Sequence, residues 1–89
     1  MKTVLRILSL EDDHDDFEFI TETLERSGFS VVATRVDKEH EFVKAIANFH
    51  PDIILSDHAL PTFDPTEALI IAKSHVPTVP FILVTGAVS

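Results

Sequence analysis

The chain has 89 residues, of which 45% are hydrophobic, a formal net charge of −8 and no cysteine, which is typical of one small domain spanning residues 1–89. The acidic balance excludes the clustered basic surface with which proteins hold nucleic acid or an anionic membrane. Because the chain has neither cysteines for a disulfide scaffold nor the ~20 consecutive apolar residues that span a bilayer, we expect a soluble, cytoplasmic protein.

The first half of the chain is predicted to alternate strands with helices. Residues 3–10 form a strand that is apolar on both faces except at Arg6 and Ser9, as in the interior of a parallel sheet. Residues 15–27 form an amphipathic helix, which Gly28 can end in a left-handed conformation. A second strand over residues 31–36 is less uniformly apolar and therefore belongs nearer a sheet edge.

The second half continues the same alternation. A helix over residues 38–49 is preceded by Asp37, a candidate N-cap, and a short buried strand follows at residues 53–56. Asp64 can cap the next helix, which runs from Pro65 to about residue 74. A fourth strand is predicted over residues 81–85.

Acidic residues follow two of these strands directly. Glu11 and Asp12 come after the first strand, and Asp57 comes after the third. The order βαβαβαβ predicts a parallel sheet with helices on both faces, in which the carboxyl ends of the strands share one edge and collect ligands. Carboxylates about 4 Å apart repel by roughly 4 kcal/mol at an effective dielectric of 20, so this edge requires a cation or a bound proton.

Three ordered motifs carry a family resemblance. They are LSLEDD at residues 8–13, PDIILSDHALP at residues 51–61 and VPFILVTG at residues 79–86. Together they resemble the receiver domain of two-component response regulators. The resemblance covers essentially the whole chain and implies a flavodoxin-like, doubly wound α/β fold with the sheet order 2-1-3-4.

The resemblance also implies a role for particular residues. Asp57 would accept a phosphoryl group from a histidine kinase, a phosphotransfer protein or a small-molecule donor. Glu11, Asp12, Asp57 and the backbone carbonyl of Ala59 would hold Mg²⁺. The Thr85 hydroxyl would form a hydrogen bond with the new phosphoryl group. The implied protein is a phosphorelay signalling domain that switches an output, and not an enzyme in the ordinary sense.

The chain departs from the family at its C-terminal end. The family continues through a fourth helix, a fifth strand and a fifth helix, and places a lysine at the end of the fifth strand. Here Lys73 is the only lysine beyond Asp57, and it lies in the third predicted helix. We therefore expect a C-terminally truncated receiver whose phosphorylation is impaired.

Truncation has a physical consequence for the sheet. With the order 2-1-3-4, the apolar fourth strand becomes an exposed edge, and such edges tend to pair with another strand. The face of strands three and four on the side of the first helix would also be bare. We therefore predict a homodimer or a swapped oligomer formed through the fourth strand.

The same residues argue against two other functional classes. A haloacid-dehalogenase-like phosphatase would need a second aspartate where the chain has Ala59, and a nucleotide-binding domain would need more glycines in its first turn than this chain has. A non-catalytic interaction module or an oligomerising receiver fragment remains the alternative. Asp13 is predicted to cap the first helix, and Asp15, Asp16 and Glu18 to lie on its solvated first turns.

Overall fold

Strands and helices alternate along the chain in the computed structural model, which describes residues 4–58 and 60–84. The elements are β1 (Val4–Leu10), α1 (His14–Arg26), β2 (Ser30–Val36), α2 (Glu39–Phe49), β3 (Ile53–Asp57), α3 (Pro65–His75) and β4 (Phe81–Val84). All seven predicted elements are present, with ends within one residue of the prediction. Thr3 and Thr85, at the outer ends of two predicted strands, lie outside the described residues.

The four strands form one parallel sheet in the order β2-β1-β3-β4, as predicted. Leu10, the last residue of β1, pairs with Val36 of β2 on one side and with Ser56 of β3 on the other. The strand order therefore reverses at β1. This reversal opens a crevice at the carboxyl ends of β1 and β3, where ligands of such sheets bind.

The hydrophobic core lies between the sheet and the pair of helices α2 and α3. Phe42 is fully buried there, and its ring lies 5.7 Å from that of Phe63, centroid to centroid. The other buried residues of this cluster are Leu8, Leu10, Val36, Ile46, Ile54, Leu60, Ala68 and Ala72. Burial of this apolar surface is the main favourable term in folding.

Among the residues that the structure describes, those of α1 cover the opposite face of the sheet only in part. Residues of α1 are half-buried or exposed, and none is fully buried. Beside this helix lies an apolar groove of about 330 Å³, lined by Ile7, Ile53, Leu55 and Ile82 of the sheet and by Phe19 of α1, among others. Within the described part of the chain, this groove includes part of the face of β3 and β4 that was predicted to be bare.

Side-chain caps define the ends of two helices. Asp13 caps α1 by accepting hydrogen bonds from the backbone N–H groups of Asp15 and Asp16, and Asp64 caps α3 by accepting from the N–H of Thr66 at 2.8 Å. Gly28, which follows α1, has a positive φ of 103°, and a positive φ was predicted there.

The predicted cap of α2 is wrong. Lys38 occupies the N-cap position and makes no side-chain capping bond. Asp37 lies one residue earlier, where its carboxylate accepts a hydrogen bond from Lys38 Nζ at 3.3 Å and its carbonyl accepts from the Thr62 hydroxyl at 2.8 Å. The Asp37 N–H donates to Oε1 of Glu41, in the first turn of α2, at 3.2 Å, whereas the Asp37 carboxylate accepts no hydrogen bond from the backbone N–H groups of the helix.

The Arg6 side chain links the amino end of β1 to the last turn of α2 by hydrogen bonds. Its Nε and Nη2 atoms both donate to the carbonyl of Phe49, at 2.9 and 2.6 Å. The guanidinium carbon also lies 4.3 Å from the centroid of the Phe49 ring. The arginine thus satisfies a carbonyl that the helix itself leaves without a donor.

The helices are short. Among the described residues, the longest helix is α1, with 13 residues. No helix in this part of the chain has the length and hydrophobicity needed to cross a membrane.

Candidate functional site

Three carboxylates converge at the carboxyl edge of the sheet. Glu11 and Asp12 immediately follow β1, and Asp57 is the last residue of the neighbouring strand β3. Each of the three offers a ligand oxygen, and these oxygens all lie within 4.8 Å of one another. The predicted convergence of the two acidic motifs is therefore confirmed, whereas the chemical roles of the residues remain predictions.

Glu11 is the buried member of the group, with only 6% of its surface exposed. Its N–H donates to the carbonyl of Val36 in β2 at 3.0 Å, and its Oε2 accepts from the N–H of Asp13 at 3.1 Å. Burial raises the pKa of Glu11 from 4.5 to about 7, with a further contribution from the charge of Asp57, although the Asp13 N–H opposes this rise. Near neutral pH, a cation that bound this carboxylate would therefore have to compete with a proton.

Asp57 and Asp12 are more accessible to solvent than Glu11. Asp12 is exposed, and the side chain of Asp57 retains 17% of its accessible surface. His58 approaches Asp57, with its Nδ1 atom 3.4 Å from Asp57 Oδ1. The site thus combines one buried carboxylate with two that a ligand can reach from solvent.

Arg35, the penultimate residue of β2, supports the site from the neighbouring strand. Its Nη1 atom donates to the backbone carbonyl of Glu11 at 3.0 Å, and its Nη2 atom donates to His14 Nε2 at 2.9 Å. Arg35 is one of the residues that make this strand less uniformly apolar, and its sequence position alone does not assign it to the acidic edge. Its proximity to the site follows from the strand register, because Arg35 pairs with Ser9, two residues before Glu11.

The other acidic residues of this region do not belong to the carboxylate cluster. Asp13 caps α1, as predicted, and Asp15, Asp16 and Glu18 are exposed. Two residues with implied roles, Ala59 and Thr85, lie outside the described residues.

The donor set suits a hard divalent cation. Magnesium prefers oxygen ligands, usually keeps several waters and needs only one or two carboxylates from the protein. The close approach of Glu11, Asp12 and Asp57 provides oxygen donors of this kind, and a cation would relieve the repulsion between them. The residues present therefore fit Mg²⁺.

Comparisons with known proteins agree with this geometry. Residues 7–89 match the response regulator receiver domain family. Among solved structures, the chain is similar to a response regulator from Hahella chejuensis, with a TM-score of 0.81 and 24% identity, over 96% of this chain and 66% of that one. It is also similar to the chemotaxis response regulator CheY4 of Vibrio cholerae, with a TM-score of 0.76 and 20% identity, over 98% and 72% of the two chains.

These structural similarities show a shared fold. The chain spans just under two thirds of the Hahella chejuensis protein. A search of curated proteins finds no match.

Proposed function

The chain belongs to the response regulator receiver domain family, and from this premise we propose that Asp57 is the phosphoacceptor of a two-component phosphorelay. Receiver domains are signalling domains that interact with histidine kinases or phosphotransfer proteins. In our proposal, such a partner donates the phosphoryl group to Asp57, and the modified domain switches a signalling output. The cytoplasmic location of this process remains a prediction from the sequence.

The convergence of three carboxylates at the crevice between β1 and β3 carries this proposal. Asp57 is accessible enough to meet a donor, because its side chain is 17% exposed. A carboxylate oxygen of Asp57 attacks the phosphorus atom as the bond from phosphorus to the leaving atom of the donor breaks. The product is an acyl phosphate on Asp57.

Glu11, Asp12 and Asp57 would hold Mg²⁺ in this site, together with the backbone carbonyl of Ala59. When bound, the ion screens the repulsion between the anionic donor and the carboxylate nucleophile and aligns them for transfer. Glu11 must lose its proton to serve as a ligand, and its pKa of about 7 allows this loss near neutral pH. The Thr85 hydroxyl would donate a hydrogen bond to the transferred phosphoryl group.

Mass spectrometry of the intact protein tests the proposal. The protein is incubated with acetyl phosphate or phosphoramidate, with and without Mg²⁺. We expect Mg²⁺-dependent addition of one phosphoryl group, which Asp57→Asn abolishes and which the matched surface variant Asp15→Asn retains. If no phosphoryl group is added under any condition, the proposal is overturned in favour of a non-catalytic interaction module.

The extent of modification is expected to be low. The family resemblance implies a lysine that forms an ion pair with the phosphoryl group, and this chain has no lysine after Lys73 in α3. Without that cation, the transferred charge is stabilised less strongly. We therefore propose that the 89-residue chain is phosphorylated slowly and incompletely.

We further propose that the chain forms a homo-oligomer through β4. This strand lies at the edge of the sheet, and its residues Ile82 and Leu83 are 45% and 51% exposed. Ile82 also lines the apolar groove beside α1. An exposed apolar edge that adjoins an apolar groove favours pairing with a second strand.

A further inference from the structure

We propose that Arg35 is a positioning residue that holds the Glu11–Asp12 segment in the geometry required to bind a divalent cation. This inference rests on the proposed function, because it concerns the same site. Arg35 would not itself contact the ion or the phosphoryl group. It would act through the backbone of Glu11 and through the first turn of α1.

The contacts of Arg35 reach both ends of the segment that carries the acids. At one end, Nη1 donates to the carbonyl of Glu11 at 3.0 Å, and at the other, Nη2 donates to Nε2 of His14, the first residue of α1, at 2.9 Å. One planar guanidinium group thus bridges the connection between β1 and α1. Such a two-point contact fixes both distance and direction.

The backbone of β2 contributes a third restraint on the same segment. The N–H of Glu11 donates to the carbonyl of Val36, the neighbour of Arg35, at 3.0 Å. Both backbone polar groups of Glu11 are therefore bonded to the last two residues of β2. This leaves the Glu11 side chain as the part that faces Asp12 and Asp57, whose oxygens lie within 4.8 Å of its own.

The charge of Arg35 alone would have the opposite effect on cation binding. A positive group near a cation site weakens binding, so its removal would strengthen binding if charge were the dominant effect. Asp37 offsets part of this charge, because its Oδ2 lies 3.9 Å from Arg35 Nη1. The direction of the change in affinity therefore distinguishes positioning from electrostatics.

Calorimetric titration with Mg²⁺ alone tests the role of Arg35. Removal of a residue that orients metal ligands typically weakens metal binding by about 10-fold or more, and we expect a loss of this size for Arg35→Gln. Arg35→Lys keeps the charge but cannot bridge the two acceptors, so we expect an intermediate affinity. Arg35→Lys is also the milder substitution, and its affinity for Mg²⁺ tests the inference if Arg35→Gln does not fold.

Arg6→Gln is the matched control. Arg6 also donates two hydrogen bonds to a backbone carbonyl, that of Phe49, but at the amino end of the sheet. We expect this variant to lose thermal stability and to keep the wild-type affinity for Mg²⁺. Hydrogen exchange adds a readout without metal: the Glu11 amide should exchange faster in Arg35→Gln and at the wild-type rate in Arg6→Gln.

Three results would overturn the inference. They are an Arg35→Gln affinity equal to or tighter than that of the wild type, an Arg35→Lys affinity equal to that of the wild type, and equal losses in the Arg6 and Arg35 variants. A wild-type protein that binds no Mg²⁺ would instead overturn the proposed metal site, and the role of Arg35 with it. The wild-type titration therefore distinguishes the two failures.

Discussion

The core beneath α2 and α3 and the acidic edge of the sheet share the strands β1 and β3, yet we expect them to have opposite effects on stability. Leu10 and Ile54 are fully buried in the core cluster. One to three residues further along the same strands, Glu11 and Asp57 bring like charges together. We expect burial in the core to stabilise the fold and the crowded carboxylates of the edge to destabilise it.

The largest expected effect is on the core. Phe42→Ala removes a fully buried ring that packs against Phe63, and such truncations cost about 3–5 kcal/mol. Because a domain of this size has a modest margin of stability, we expect the variant to be largely unfolded. Urea unfolding followed by circular dichroism measures the change, with Phe19→Ala as the control.

Phe19 is the matched residue because it is 67% exposed. Its replacement should change stability by less than about 0.5 kcal/mol. Equal losses for the two phenylalanines would contradict the contrast between the α2 and α3 core and the rest of the molecule.

The second prediction concerns how the ionised Glu11 side chain lowers the stability of the fold. The pKa of Glu11 is raised to about 7 in the folded protein, so between pH 4.5 and pH 7 the folded state binds more protons than the unfolded state. Stability contributed by this group is therefore present at low pH and is lost as the pH rises through 7. We expect Glu11→Gln to be more stable than the wild type at pH 8 by about 3 kcal/mol, which is the equivalent of a pKa shift from 4.5 to about 7.

Thermal unfolding at pH 5 and pH 8 measures this difference. Glu18→Gln, a change at an exposed acid of α1, serves as the control. A Glu11→Gln variant that is less stable than the wild type at pH 8 would show that the carboxylate stabilises the edge.

The third prediction is that Mg²⁺ stabilises the folded protein by reducing the repulsion between the carboxylates of the acidic edge. A ligand at ten times its dissociation constant stabilises the folded state by about 1.4 kcal/mol. We expect added Mg²⁺ to raise the melting temperature of the wild type and to have little effect on Asp57→Asn. Equal shifts in both proteins would place the bound ions elsewhere on the acidic surface.

The fourth prediction concerns β4, at the edge of the sheet. Ile82→Lys introduces a charge at an exposed position that lines the groove. We expect less than about 0.5 kcal/mol of change in the stability of the folded chain, together with a shift of the oligomer towards monomer in light scattering. A wild-type protein that remains monomeric at high concentration would contradict the proposed association.

Most of the fold could be predicted from local patterns. The runs of apolar residues, the capping side chains Asp13 and Asp64, and Gly28 identify elements through interactions with near neighbours in the chain. The cap of α2 could not be identified in this way. Asp37 has a suitable side chain for capping, but it is engaged by Lys38, and its carbonyl is engaged by Thr62, 25 residues away.

The extent of burial of α1 could not be predicted from its pattern. Phe17, Ile20 and Leu24 recur at helical spacing, yet no residue of this helix is fully buried. Periodicity shows which face of a helix is apolar, but the extent of burial depends on what packs against that face. Here the groove beside α1 leaves part of the helix accessible.

By itself, the sequence determined the alternation of strands and helices and the position of three acids at strand ends, because both follow from short-range patterns. Only the tertiary structure decided that Glu11 is buried with a raised pKa and that Arg35 bridges its carbonyl to His14. These features depend on the register between β1 and β2. That register brings together residues 24 positions apart, which no local pattern encodes.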